Sequence, residues 1–172
     1  MNTDNGFEEE VQRYLLAELG VALHVPSLWE VASSETGTLA AYADAAFFAP
    51  AEYGYRSSVV FSRELLVPSN PEQFEELIEG VLAAMQDSPG IEIIGSGRAS
   101  QNSMPAWILR YRRTRAGHPH NYEQLLVLVV TDMMRGTMLH IDASTISPLA
   151  ERHLPLLMRI LNSLEPARTS PE

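Results

Sequence analysis

Hydrophobic and polar positions alternate along much of the chain, and this pattern predicts a protein built mainly from strands. In residues 55–65, YRSSVVFSREL, Val59, Phe61 and Leu65 share one face and polar side chains share the other. Such alternation is typical of a half-buried strand. The segments IEIIGSGRAS, AWILRYRRTR, NYEQLLVLVV and TMLHIDAS predict four further strands. Residues 125–130 are apolar at every position, which indicates a central strand covered on both faces.

Three segments follow helical spacing instead. Apolar residues at positions 7, 11, 14, 15 and 19 follow that spacing, with three glutamates in the first turn and Gly20 at the end, so they predict a leader helix. Asn70 and Pro71 predict the N-cap and first residue of a second helix, which DSPG ends at 87–90. A third helix carries Leu154 to Leu164, and Pro155 predicts either a kink or a start near residue 154.

Between the first two helices, VALHVPSLWE predicts a short strand with a corner at Pro26, and AAYADAAFFAP reads as a strand with helix as the alternative. The order of elements predicts an α+β fold with a central, mostly antiparallel β-sheet flanked by α-helices. We expect one domain over residues 1–166 and a disordered tail over 167–172.

The composition narrows the classes of partner. The chain has 22 acidic and 12 basic residues and a net charge of −10, so its field repels phosphate backbones and anionic lipid surfaces. All 12 basic residues are arginine, which excludes Schiff-base chemistry, and the absence of cysteine excludes disulfides and thiolate chemistry. With no signal peptide or membrane span in the pattern, we expect a cytoplasmic protein with no nucleic-acid partner and no membrane insertion.

Three short motifs suggest chemistry, and each has a structural alternative. GSGRAS at 95–100 resembles a dinucleotide turn, but a strand rather than a helix follows it. His118 and His120 could present two imidazoles to a metal, although zinc needs three or four ligands. His140 and Asp142 share one face of a predicted strand, as the base and carboxylate of a hydrolase would, but no nucleophile elbow accompanies them.

The stretch RYRRTRAGHPHNYEQ, residues 110–124, holds four of the twelve arginines. Strand parity places Arg110 and Arg112 on one face, and Arg113 and Arg115 on the face of Trp107 and Tyr111. Glu92 and Glu123 on adjacent strands could pair with some of these arginines, which favours a salt-linked hairpin. The sharper interpretation is an aromatic and basic face that docks a partner, and its predicted residues are Trp107, Arg110, Tyr111, Arg112, Tyr53 and Tyr55.

The order of six segments resembles that of the actinobacterial LpqN/LpqT lipoprotein family. The segments are RYLLAELGVALHVPSLWEVA, AEYGYRSSVVFSREL, the helix from Asn70, SPGIEIIGSG, NSMPAWILRYR and TMLHIDAS. The resemblance covers residues 12 to about 164. It implies the PsbP-like fold, an α/β/α sandwich. It also implies a mostly non-catalytic superfamily that includes Eag-type secretion chaperones, and it supplies no catalytic residues. The family's signal sequence and lipidation cysteine are missing here, so we expect either a trimmed chain or a cytosolic relative, and the acidic leader with its initiator Met favours the second.

These observations lead to three functional hypotheses. The first is a non-catalytic, cofactor-free protein-binding module, a chaperone or adaptor for a secreted or envelope-associated client. The second is a carrier of a small apolar ligand held between sheet and helix by residues such as Phe47, Phe48 and Trp107. The third is a hydrolase that uses His140 and Asp142. A homodimer formed through an edge strand stays open.

Overall fold

A computed structural model describes residues 10–33, 43–64, 67–132 and 136–167. Its strands are β1 (Val11–Leu16), β2 (Val21–Pro26), β3 (Glu30–Ser33), β4 (Ala45–Phe48), β5 (Ser58–Arg63), β6 (Ile91–Gln101), β7 (Met104–Arg113), β8 (Tyr122–Asp132), β9 (Thr137–Ile146) and β10 (Glu165–Pro166). The helices are α1 (Pro71–Gln86) and α2 (Ala150–Asn162). Single 3₁₀ turns occupy Ala17–Leu19 and Ser147–Leu149.

The strands form two sheets. A seven-stranded sheet has the order β3-β4-β5-β9-β8-β7-β6, and a small sheet has the order β1-β2-β10. Every strand pairing in the described residues is antiparallel. Because neighbouring strands from β6 to β9 also follow one another in sequence, short hairpins suffice to connect them. The α+β prediction with a mostly antiparallel sheet is confirmed.

The core lies on both faces of the large sheet. Along β8, Leu125, Val127 and Val129 contribute to one cluster, which also holds the buried residues of β2 and α2. The alternate residues Leu126, Leu128 and Val130 contribute to a second cluster, which includes Phe74 and Ile78 of α1. The prediction of a strand covered on both faces is therefore confirmed for β8.

Helix α1 begins where the sequence predicts. The Asn70 side chain accepts a hydrogen bond from the backbone N–H of Gln73 at 2.9 Å, and Pro71 occupies the first turn. The cap satisfies one of the amide groups that a helix leaves unpaired at its N-terminus, and proline at the first position loses no hydrogen bond.

The leader helix is wrong over residues 11–16, which form β1. All six residues pair antiparallel with β2, and Gly20 at φ 69° allows the chain to turn back after the 3₁₀ turn. A helix would have buried Val11 and Leu15, yet these side chains are 56% and 57% exposed, while Tyr14 packs on the core. Apolar spacing of three and four residues fits a short strand with two mixed faces equally well, and the pairing with β2 decided between them.

The C-terminal segment differs in detail from the prediction. Helix α2 begins at Ala150 and runs through Pro155, so a start near residue 154 is wrong. Proline removes one i→i−4 hydrogen bond, whose acceptor would be the carbonyl of Glu151, a residue on the exposed side of the helix. Of the predicted tail, the structure describes only Ala167, whose N–H donates to the carbonyl of Gly20 at 2.8 Å.

Candidate functional site

One face of the large sheet carries an open groove where α1 does not cover it. Helix α1 packs on residues 107–111 of β7 and 126–130 of β8, and the sheet beyond those residues stays open on that side. The groove has a volume of about 840 Å³. Its lining combines tyrosines, two arginines and small polar side chains: Tyr55, Ser58, Val60, Tyr111, Arg113, Arg115, Tyr122, Gln124, Asp142 and Ser144. We call it the tyrosine groove.

Strand register explains why these residues meet. Tyr111 pairs with Gln124, which pairs with Ser144, which pairs with Ser58, so one row crosses four strands. A parallel row joins Asp142 to Val60 on β5. Because side chains alternate between the faces of a strand, every member of each row faces the same side as α1.

The tyrosines form a connected aromatic wall. The Tyr55 ring meets the Tyr122 ring edge to face at 5.7 Å, and the Tyr55 hydroxyl lies 2.7 Å from Ser144 Oγ. The Tyr122 hydroxyl lies 2.8 Å from His118 Nδ1 on the hairpin. Burial raises the pKa of Tyr111 to about 12, with Asp142 adding to the shift and Arg113 opposing it. The Tyr111 phenol is therefore neutral near pH 7.

Three polar side chains that line the groove have polar atoms without a partner among the described residues. Within the described residues, no carboxylate lies within 4.0 Å of Arg113 or Arg115. The side-chain oxygen of Gln124 is buried and accepts no hydrogen bond. Buried acceptors normally receive a hydrogen bond. The groove therefore offers a ligand one buried acceptor without a donor and two guanidinium groups without a carboxylate.

His140 lies between two carboxylates beside the groove. Its Nδ1 is 2.8 Å from Glu64 Oε1, and its Nε2 is 3.2 Å from Asp142 Oδ2, an ion-pair distance without the alignment of a hydrogen bond. Asp142 and then Glu64 raise the pKa of His140 against the opposing effect of burial. A hydrolytic triad needs a hydroxyl at one imidazole nitrogen. In the described residues both imidazole nitrogens face carboxylates, so this geometry gives no support to a hydrolase built on His140 and Asp142, and that hypothesis stays a prediction.

On the other face, a buried network joins α2 to the sheet. Ser57 Oγ lies 2.7 Å from His153 Nδ1 and donates to Thr145 Oγ1 at 2.8 Å, while His153 Nε2 lies 3.3 Å from Glu52 Oε1. Although this arrangement superficially resembles a triad, Ser57 is 0% exposed and already donates to Thr145. No substrate can reach that hydroxyl, so the network is structural.

The sequence patterns did not identify the tyrosine groove or this network. The alternation of buried and exposed positions along the strands nevertheless indicated two polar residues on the buried side. Ser57 shares the buried side with Val59 and Phe61, and Glu123 shares it with Leu125. A polar residue at a buried strand position must find a partner, so both residues could have been flagged from the pattern.

No protein-family model matches the sequence, and no curated protein is significantly similar to it. Solved structures do match the fold. Cyanobacterial PsbP (CyanoP) from Synechocystis sp. PCC 6803 has a TM-score of 0.61 and 17% identity, over 96% of this chain and 98% of that one. LpqN of Mycobacterium tuberculosis has a TM-score of 0.58 and 16% identity, over 90% of each chain. The chain has the PsbP-like fold.

A third structure with the PsbP-like fold is the Ran-binding protein Mog1p of Saccharomyces cerevisiae, with a TM-score of 0.60 and 9% identity over 94% of this chain and 97% of that one. The resemblance drawn from the sequence is thus confirmed at the level of fold. LpqN is involved in cell envelope biogenesis, which contradicts the predicted cytoplasmic localisation, so that prediction is wrong. Neither helix in the described ranges has the length and apolar content that crossing a bilayer requires.

The PsbP-like sheet does not bring the six predicted docking residues to one surface. Tyr55 and Tyr111 line the tyrosine groove. Trp107 is 2% exposed beneath α1, and Tyr53 is 72% exposed on a loop outside the groove. Arg110 and Arg112 lie on the opposite face. Alternation along β7 separates the set, so a single docking face made of all six is wrong, and the role of each residue in binding stays a prediction.

The predicted pairing of the hairpin arginines is confirmed. Arg112 Nε donates to Glu123 Oε1 at 2.7 Å, and its NH1 donates to Glu92 Oε2 at 3.1 Å. The other Glu123 oxygen lies 3.9 Å from the Arg110 guanidinium and has no hydrogen bond. Because Glu123 is 3% exposed, the nearby guanidinium charges offset the cost of burying its carboxylate.

The remaining sequence candidates lie in other surroundings. GSGRAS forms part of edge strand β6, where Gly95 follows a β-bulge, so no helix N-terminus is available for a phosphate. Among the described residues, no group of three or more His, Asp or Glu side chains is arranged to hold a metal ion. Phe47 and Trp107 belong to core clusters on opposite faces, so the predicted lining of an apolar carrier site is wrong.

Proposed function

We propose that the protein is a non-catalytic binding module that docks a protein partner in the tyrosine groove. The observation that carries the proposal is the combination, on one open sheet surface, of an aromatic wall with two arginines that have no carboxylate partner. Tyrosine and arginine are among the residues that dominate binding energy at protein interfaces. Tyr111, Arg113 and Tyr122 stand on the paired strands β7 and β8, so the sheet fixes the backbone positions from which these side chains would meet a partner.

The structures with the same fold support a binding role. Mog1p is a Ran-binding protein, and LpqN is involved in cell envelope biogenesis. In the finer form of the proposal, the protein is a chaperone or adaptor for a secreted or envelope-associated client. Its scaffold is an α/β/α sandwich, for which the two core clusters, one with α1 and one with α2, provide support.

Site-specific photo-crosslinking in the native cell tests this proposal. A benzoylphenylalanine at Ser58, inside the groove, should capture one discrete protein, whereas the same probe at Glu79, on the exposed side of α1, should not. With the captured protein purified, Tyr122→Ala should weaken binding at least about tenfold and Glu79→Ala should leave it unchanged. Equal capture at both positions, or a dissociation constant indifferent to Tyr122, would remove support for the groove as the docking site.

A second candidate function, the carrier of a small apolar ligand, is favoured by a separate cleft. This cleft of about 370 Å³ lies between α2 and the β6–β7 edge. Ile108, Leu125, Leu154 and Met158 supply its apolar walls. The residues that the sequence suggested for a carrier do not line it. Native mass spectrometry of gently purified protein would show a co-purified mass if a ligand is held, and the same spectrum would show a homodimer.

A further inference from the structure

Two guanidinium groups in the tyrosine groove stand out in an acidic protein. Seven of the ten arginines within the described residues have a carboxylate within 4.0 Å; the other three are Arg159 of α2 and the two groove residues Arg113 and Arg115. Carboxylates are abundant, since the chain has 22 acidic residues. Both arginines line the same groove as the tyrosine wall, so a ligand lying there meets two unpaired cations.

The chemistry of a ligand that fits these cations follows from their geometry. A guanidinium presents a planar fork of N–H donors that matches a carboxylate, and such charge-assisted pairs are about twice as strong as neutral hydrogen bonds. A carboxylate placed between Arg113 and Arg115 would receive donors from both side chains. It would do so beside the neutral phenol of Tyr111, another lining residue, which adds no negative charge.

Two hydrogen-bond acceptors that line the groove indicate that the ligand must also carry hydrogen-bond donors. The buried oxygen of Gln124 accepts no hydrogen bond, and the Asp142 carboxylate also faces the groove. A simple anion has no hydrogen to donate to either group. The backbone N–H groups of an extended peptide supply those donors, while one of its side chains supplies the carboxylate.

The aromatic wall specifies a neighbour for the acidic side chain. The edge-to-face pair of Tyr55 and Tyr122, together with Val60, offers apolar surface close to the arginines. An aromatic or aliphatic residue of a bound segment can bury its side chain against this surface.

We propose that the tyrosine groove binds an extended acidic segment of a protein partner, with one Asp or Glu side chain held between Arg113 and Arg115 and an apolar neighbour against the Tyr55–Tyr122 pair. This inference rests on the proposed function and names the chemistry of the partner. The segment must be short, because the net charge of −10 repels extended acidic surfaces, whereas the attraction of the two arginines is local, within a Debye length of about 8 to 10 Å.

Selection from a random peptide display library against the full-length protein tests the inference. Peptides that bind should carry Asp or Glu next to an aromatic or aliphatic residue. In fluorescence anisotropy, replacing that acid by its amide should weaken binding about tenfold or more. The double variant Arg113→Gln/Arg115→Gln should cause a similar loss, and the amide peptide should lose little further affinity on that variant.

The strand itself supplies a matched control. Arg110→Gln removes a guanidinium from the same strand but from the opposite face, so it should leave peptide affinity unchanged. Urea midpoints of all variants would establish that they are folded.

Two results would overturn the inference. Selected peptides that are lost on Tyr122→Ala but indifferent to their acid and to Arg113 and Arg115 would show that the groove binds peptides of another chemistry. Failure to select any peptide that requires the groove would also overturn it. Neither result decides the proposed function, which stands or falls on crosslinking of a cellular partner at Ser58.

Discussion

Arg112 and Arg113 are neighbours on β7, yet they lie on opposite faces of the sheet in different electrostatic surroundings. Arg112 donates to two glutamates, and its buried partner Glu123 belongs to the face that α2 covers. Arg113 faces the tyrosine groove and has no carboxylate within 4.0 Å. Polar groups on the covered face are mostly paired because burying them unpaired is costly. On the open face, water can hydrate polar groups that have no partner within the protein, as it can for Arg113. These groups therefore remain available to a binding partner.

The largest expected effect is on stability, and it distinguishes two of the predicted docking residues, Trp107 and Tyr53. Trp107 is 2% exposed in the cluster beneath α1, so Trp107→Ala should lower the free energy of unfolding by about 3 to 5 kcal/mol. Tyr53 is 72% exposed, so Tyr53→Ala should change it by no more than about 0.5 kcal/mol. Urea unfolding followed by circular dichroism measures both. A loss below about 1 kcal/mol for Trp107→Ala would contradict its place in the core.

A second contrast uses two consecutive serines. Ser57 is fully buried in the network with His153 and Thr145, whereas Ser58 lines the tyrosine groove. Ser57→Ala leaves the two partners without their shared hydroxyl and should destabilise the fold by about 1 to 3 kcal/mol. Ser58→Ala should stay within about 0.5 kcal/mol of the wild type. Equal urea midpoints for the two variants would mean that the covered face tolerates unpaired polar groups.

Substitutions of Arg112 and Arg113 should differ in stability by a smaller amount. Arg112→Gln should lower the urea midpoint, since Glu123 then keeps a buried charge with less compensation, and Arg113→Gln should not. Combining Arg112→Gln with Glu123→Gln should recover part of the loss, because the unpaired carboxylate is gone. If Arg113→Gln were the more destabilising change, the assignment of paired and unpaired faces would be reversed.

Local patterns predicted the elements that form this sheet but not the surface that the elements leave open. Strands β5 to β9 and the cap of α1 follow from alternation and from Asn70 and Pro71, whose effects act within a few residues. Parity along the predicted strand AWILRYRRTR also separated Arg113 and Arg115 from Arg110 and Arg112. The leader helix failed because pairing between β1 and β2, which the local pattern does not contain, decided that segment.

The tyrosine groove depends on contacts that are distant in sequence. Tyr55 and Tyr122 meet only because β5, β9 and β8 pair in one register, and no spacing in the sequence connects them. The groove is open because α1 packs on one end of β7 and β8, a consequence of where Phe74 and Ile78 find their core. Sequence alone could therefore name Tyr55 and Tyr111, which line the groove, while missing Tyr122 and wrongly grouping the buried Trp107 with them.

The smallest expected effect concerns His140, which lies at the border of the open face. Because Asp142 and Glu64 raise its pKa in the folded protein, the imidazolium stabilises the fold fully below the unfolded value of about 6.5. That contribution is lost as pH rises through the folded pKa. The stability difference between wild type and His140→Asn should therefore be largest near about pH 5.5 and smallest near about pH 9.

Urea unfolding across this range measures that difference, and Asp142→Asn tests its cause. Asp142 is the main source of the raised pKa, so in its amide variant the pH-dependent part of the His140→Asn effect should shrink. An effect that grows with pH would mean that the neutral imidazole is the form stabilised in the fold. Since Asp142 also lines the tyrosine groove, a charged His140 offsets its negative charge and leaves Arg113 and Arg115 as the dominant charges that a docking segment meets.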